Sequence, residues 1–290
     1  TPNIGALFYG ISKDMSFAMG AACCVMTLSI LGSAFWFFKN VADNVRCSSC
    51  LGTYLLLALP FNISYLKLVY LYAGYYAICI IVLFFTLATY GKVLRSSEID
   101  KWGMGISVVL ALGLGLQGMR GILVLYAPLL GIEIIRRLRN VLHRCKTNRA
   151  DTLISIWVIV LLCASYLGTC FPFSVGQDIS KNLRKGFNKL FTVVIPDIGK
   201  GIGYSEYNFI GKGCVLLLLV LTVIVLIIVL YRLVIGKEIT SFEWCYLVIC
   251  SSPIITALII SFTTAESADR YFFMLMPAMA LTIVMVWQKS

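Results

Sequence analysis

A chain of 290 residues in which 60% are hydrophobic and 13% charged is too apolar for a soluble domain, where apolar usage is roughly 45–50% and charged usage about 25%. The composition, with a mean hydropathy of +0.92, describes a multi-pass protein of the cell membrane built as an all-α transmembrane helix bundle. The formal net charge of +11 would suggest nucleic acid in a soluble protein, but much of it sits in short loops beside apolar spans, where it orients the chain and meets membrane lipids; no nucleic-acid partner is expected.

Taken in chain order, residues 1 to 15 read as a loop or interfacial helix, loosened by Gly5 and Gly10 and closed by Lys13-Asp14. Ser16 to Phe38 is long enough to cross about 30 Å of hydrocarbon. A short polar loop with Lys39, Asp43 and Arg46 follows. In that loop Cys47-Ser-Ser-Cys50 supplies two of the four ligands a structural zinc needs, and the single histidine, His143, is far off in sequence, so no metal site is expected. Most other cysteines, such as Cys23, Cys24, Cys79, Cys163 and Cys250, sit in apolar segments as small hydrophobes and give no redox signal.

Leu51 to Tyr90 contains Pro60, Asn62, Ser64 and Lys67 near its middle and reads as two helices joined at the outer face. The first arm, Leu51 to Leu59, is short for a crossing and reads as starting within the headgroups or as a tilted or partly buried half-helix. Tyr65, Tyr70, Tyr72, Tyr75 and Tyr76 crowd the outer end of the second arm, as an interfacial aromatic belt or as a sugar-stacking platform. Gly91 to Trp102 is a mixed cytoplasmic loop.

A hairpin then organises the rest. Gly103 to Gln117 is apolar, Gly118-Met119-Arg120-Gly121 interrupts it, and Ile122 to Ile135 is apolar again before the basic run Arg136, Arg137, Arg139, Arg144, Lys146 and Arg149. The positive-inside tendency places that run on the cytoplasmic face and the Arg120 turn outside. Glycines at 103, 105, 113, 115, 118 and 121 permit close helix packing and would let backbone amides near the turn point at a ligand. Arg120 reads either as a ligand contact or as a side chain snorkelling to headgroups.

Thr152 to Phe173 crosses outward. Residues 174 to 212 form an outer loop in which Ile179, Leu183, Phe187, Leu190 and Phe191 recur at helical spacing against Lys181, Arg184, Lys185 and Lys189, the pattern of a helix lying in the interface. Its lysines argue for the inner face, but a loop of this kind orients less strongly than the tight run at 136 to 149. Pro196 and glycines 199, 201 and 203 are expected to end that helix. Gly213 to Ile235 returns inward, Phe242 to Phe262 crosses out with a kink at Pro253, a short outer loop holds Glu266, Asp269 and Arg270, and Tyr271 to Trp287 returns. The thread gives one transmembrane domain, residues 1 to 290, with about eight apolar passes.

Soluble-enzyme motifs are absent from this sequence. Gly199-Lys-Gly-Ile-Gly203 lacks the Gly-Lys-Ser/Thr ending of a phosphate loop, and Ser/His/Asp chemistry would depend on His143 in the cytoplasmic basic run. Charged groups at the outer ends of spans remain: Lys67, Arg120, Glu266, Asp269 and Arg270. Arg120 and Arg270 each offer a planar donor fork at headgroup depth, suited to phosphate or pyrophosphate.

Ala268-Asp269-Arg270-Tyr271-Phe272-Phe273, followed by Met276-Pro277, resembles the signature that opens a late span in integral-membrane glycosyltransferases of the GT-C fold. The opening Thr1-Pro2-Asn3-Ile4-Gly5-Ala6-Leu7-Phe8-Tyr9-Gly10 is similar to the Pro-containing stretch after their first outer loop, and the Gly118-Met-Arg-Gly121 turn with Pro128 looks like bacterial membrane proteins of that general type. The resemblance implies transfer of a sugar from a polyprenyl-phosphate donor on the outer face, in cell-envelope glycan assembly. It implies donor-phosphate contact by Arg270 with Tyr271 packing beside it; Asp269, Glu266, Lys67 and Arg120 join them as substrate-binding candidates by position. The family's catalytic carboxylate lies just after its first span. Thr1 and the close of the chain on an apolar run read as a fragment, so that carboxylate, and any divalent metal it holds, is expected upstream of Thr1; no cofactor is identified within the chain. The readings kept beside this one are a transporter or flippase of a lipid-linked or anionic substrate, and an O-antigen-polymerase-like protein whose large outer loop is 174 to 212. Asn62-Ile-Ser64 matches a glycosylation acceptor, a triplet expected by chance.

Overall fold

The computed structural model describes residues 2–42, 45–58, 69, 75–143, 148–171, 186–202, 209–263 and 267–289. They form an all-α bundle: α1 (Pro2–Ser12), α2 (Met15–Val41), α3 (Val45–Ala58), α4 (Tyr75–Ser96), α5 (Lys101–Gly115), α6 (Ala127–Leu142), α7 (Arg149–Thr169), α8 (Gly186–Lys189), α9 (Ile195–Gly201), α10 (Phe209–Val234), α11 (Ser241–Ser261) and α12 (Leu275–Lys289). A π-helical stretch, Ile122–Tyr126, leads into α6, a second, Leu190–Val194, joins α8 to α9, and a 3₁₀ turn, Asp269–Phe272, precedes α12. Among the described residues five helices, α2, α4, α7, α10 and α11, are long and apolar enough to cross a membrane. The chain is a multi-pass membrane protein.

Local chemistry starts these helices where the sequence provides caps. Asp14 accepts hydrogen bonds from the amides of Ser16 and Phe17 at 2.8 and 3.4 Å and opens α2. Asp100 accepts from the Gly103 amide at 2.9 Å and opens α5. Thr240 and Glu243 cap α11 reciprocally, the Glu243 amide donating to Thr240 Oγ1 at 3.2 Å and the Thr240 amide to Glu243 Oε2 at 2.9 Å. At the end of α10, Gly236 takes a φ of +79° while the Lys237 amide donates back to the Arg232 carbonyl at 3.0 Å, a left-handed stop that favours glycine.

Packing sets the two ends of the bundle. The largest core joins α2, α4, α6, α7, α11 and α12, with Phe37, Phe38, Phe84 and Phe242 stacked at centroid distances of 5.2 to 6.3 Å. α5 crosses α7 almost backbone to backbone. A Cβ on Gly115 would lie 2.1 Å from the Ser165 carbonyl oxygen, and one on Gly168 would lie 2.4 Å from that of Leu112. Small residues permit this approach, and in lipid such packing replaces the hydrophobic drive that water supplies elsewhere. Trp157 Nε1 donates to the Met104 carbonyl at 3.0 Å lower on the same pair.

Several expectations change. Cys47 and Cys50 lie on α3, which starts at Val45 rather than after the cysteines, since nothing in Cys47-Ser-Ser-Cys50 breaks a helix; Ser48, buried there, accepts from Gln288 Nε2 at 2.8 Å. Residues 2 to 12 take the helical of the two forms expected for them, ahead of α2. α11 starts and ends one residue earlier than expected, at Ser241 and Ser261, with Pro253 inside it. Pro196 does not end the outer helix: it occupies the first turn of α9, where its missing N–H is tolerated, and the helix continues through Gly199 to Gly201. Of the tyrosine-rich stretch, 59–68 and 70–74 lie outside the described residues, as do 172–185 and 203–208 of the long loop.

Candidate functional site

Two arginine centres stand at opposite ends of the bundle. The first lies among the ends of α2, α4, α6 and α10 and the starts of α5, α7 and α11. Glu133 and Arg136 face each other from one turn of α6, Arg136 Nε and Nη2 donating to the two Glu133 oxygens at 2.8 Å each. Arg136 Nη1 donates to Asp151 of α7 at 2.7 Å. Tyr90 of α4 donates to Glu133 Oε2 at 2.8 Å, and Ser155 of α7 donates to Glu133 Oε1. Arg137 Nε donates to Ser155 Oγ at 2.7 Å, and its Nη2 to the Asp151 carbonyl. Glu133 is 2% exposed and Arg136 5%. Two carboxylates, two guanidiniums and two hydroxyls from three helices thus satisfy one another, Glu133 and Arg136 buried and Asp151 and Arg137 partly exposed; buried charge is tolerable when paired in this way.

The same end carries further ties. Arg232 of α10 pairs with Glu243 of α11. Arg139 donates to the carbonyls of Gly236 and Lys237 at 3.2 and 2.6 Å, and Arg95 to that of Ala42 at 2.8 Å. Lys92 bridges to Asp100 at 2.9 Å. That bond, then the one from the Gly103 amide, holds the Asp100 carboxyl below its usual range. Residues 144–147 of the basic run lie outside the described residues.

The second centre is at the other end. Arg120 leaves the turn after α5, where Gly118 adopts a φ of +87° and its amide donates to the Gly115 carbonyl at 2.9 Å. The Arg120 guanidinium carbon lies over the Tyr76 ring, 4.8 Å from its centroid, and over the Tyr271 ring at 5.7 Å. Tyr76 is buried at the start of α4 and meets Phe273 edge-on at 4.9 Å. Three segments far apart in sequence, 76, 118–121 and 271–273, converge on this cation, whose ring contacts are each worth about 0.5–2 kcal/mol. The rings lie against the face of the guanidinium, whose N–H donors point outward in its plane.

Of the substrate-binding residues expected from sequence, Arg120 and Tyr271 come together. Arg270 and Asp269 belong by backbone to the 3₁₀ turn with Tyr271, but their side chains lie outside the described residues, and so do Lys67 and Glu266 entirely. Tyr76 gains a defined partner. Glu133 went unnoticed in sequence; its signal was a single carboxylate in an apolar pass, three and four residues before two arginines. Among the described residues no three His, Cys, Asp or Glu side chains gather as a metal site. Cys47 and Cys50 are free thiols on the lip of an open groove of about 600 Å³, lined also by Leu51, Tyr54, Ile283 and Trp287.

No family model matches the chain, and neither a curated protein nor a solved structure matches it. The fold and site define a polytopic all-α membrane protein with a cation and aromatic cluster at one end of its bundle.

Proposed function

We propose that the protein is a membrane glycosyltransferase of the GT-C type, moving a sugar from a polyprenyl-phosphate donor on the outer face of the membrane. The observation that carries this reading is the convergence of Tyr76, Arg120 and Tyr271. A fixed guanidinium supplies the charge and fork for a lipid phosphate, and the rings beside it offer apolar faces for an isoprenoid or a sugar. The 3₁₀ turn bearing Tyr271 is the segment whose residues resemble the family, and it carries Arg270 on the same turn. In this reading the hairpin formed by α5 and α6 crosses twice and α12 once, completing about eight passes with the five long helices, and α3 enters as a half-helix.

A second reading, a transporter or flippase of a lipid-linked or anionic substrate, is favoured by the Glu133–Arg136–Asp151 network, because ionisable groups inside apolar passes are marks of substrate or proton pathways. An O-antigen-polymerase-like protein would share the substrates of the first reading.

Retention of a polyprenyl phosphate by the purified protein in proteoliposomes tests the site. Arg120→Ala should weaken retention at least tenfold, about 1.4 kcal/mol, and Arg120→Lys should restore part of it. Retention unchanged in Arg120→Ala removes the reading. Cells lacking the protein separate the two classes: lipid-linked sugar piling up on the outer leaflet supports transfer, and on the inner leaflet supports flipping.

A further inference from the structure

The segment from Gly186 to Gly201 carries two apolar stripes. Leu190, Val194 and Ile198 lie four residues apart and pack against Ala257, Ile260, Phe272 and Tyr271. Phe187, Phe191 and Ile195 repeat the same spacing one step round the helix and are 69%, 64% and 46% exposed. In a pure α-helix each four-residue step drifts slightly in one direction. The wider π turns at Leu190–Val194 drift the other way, so both stripes stay straight across the segment. Lys189 is directed inward, its Nζ donating to the carbonyls of Ile260 and Thr263 at 2.7 and 2.9 Å, where a cation at the end of α11 meets the negative end of the helix. The lysine expected on the solvated face therefore fastens the segment to the bundle.

The exposed stripe does not stand alone. Ile254 and Leu258 are 50% and 46% exposed on α11, one of the long apolar spans, and above them Phe262 meets Phe187 edge-on at 5.3 Å. The lipid-facing surface of α11 thus runs through Phe262 and Phe187 on to Phe191 and Ile195. A row of large side chains continuous with a span's lipid face, on a short helix at the span's end, is the geometry of an element lying in the membrane interface.

We propose that residues 186–201 form an in-plane membrane anchor, with Phe187, Phe191 and Ile195 seated among lipid acyl chains and Leu190, Val194 and Ile198 clamping the 3₁₀ turn that carries Tyr271. The partner is phospholipid, and the lipid contact stands whether or not Arg120 binds a substrate.

A photoreactive benzoylphenylalanine placed singly at Phe187 and at Phe191 tests it, with the full chain in phosphatidylcholine proteoliposomes and Leu217, 72% exposed on α10, as the lipid-facing reference. Irradiation should add the mass of one phosphatidylcholine at both phenylalanine positions, as at Leu217. Adducts at Leu217 with none at either phenylalanine overturn the proposal. So does a cross-link to a second copy of the chain in place of lipid, which would make this face a protein interface.

Discussion

The arginines of α6 and Arg120 are held by different chemistry. Arg136 has carboxylates on two sides, bonded through its own N–H donors at 2.7 to 2.8 Å, and almost no exposure. Arg120 lies over two tyrosine rings at the opposite end. A carboxylate engages the edge donors of a guanidinium, whereas a ring engages its face. One centre ties α4, α6 and α7 together through ion pairs and hydrogen bonds, and the other gathers three remote segments around a guanidinium through its ring contacts.

Removing the carboxylate is the strongest way to sharpen the difference. Glu133→Ala leaves the buried Arg136 with Asp151 as its one remaining carboxylate and should destabilise the bundle by about 3 kcal/mol, read as a large drop in melting temperature in detergent. Arg120→Ala should lower stability by no more than about 0.5–2 kcal/mol. Equal losses in the two variants would erase the distinction.

Gly168→Val probes the crossing that carries the Arg120 turn. Its side chain would drive into the α5 backbone, and overpacking of this kind costs about 1–3 kcal/mol or more; the same change at Gly105, where a Cβ meets nothing within 4 Å, should leave the melting temperature unchanged. A milder change is Tyr76→Leu, which keeps apolar contact with Phe273 and loses the ring under Arg120, about 0.5–2 kcal/mol. It should reduce lipid-phosphate retention more than stability.

The smallest effect belongs to the basic end. The Asp100 carboxyl, held below its usual range by Lys92 and then by the Gly103 amide, binds its proton less readily folded than unfolded. Its contribution is present above the ordinary aspartate value and is lost as pH falls through the folded one. Asp100→Asn, which keeps a capping oxygen but loses the ion pair, should flatten that acid limb by a few tenths of a kcal/mol, as expected of a partly exposed pair, in melts taken across the acid range.

Much of this was legible in the residues. Long apolar runs announced the spans because an unpaired backbone in lipid must close on itself as helix, and Gly118-Met-Arg-Gly121 announced the hairpin because two apolar segments need a turn between them. Arg120 and Tyr271 each stood out in the sequence, one from its turn and the other from a family-like motif. Their meeting was not. Nor did the basic run reveal that Arg136 is buried, because positive-inside counting weighs charges without their partners.

By itself, then, the sequence determined what depends on local composition: membrane residence, the apolar segments, the turns and the helix caps at Asp14, Asp100 and Thr240. Tertiary structure decided what depends on distance between remote residues. The close crossing at Gly115 and Gly168, the bond from Tyr90 to Glu133, and the stacking of Tyr76 and Tyr271 on Arg120 each join positions separated by tens of residues or more. Hydropathy along the chain places a helix in the membrane, but leaves its rotation and its neighbours to the packing of side chains.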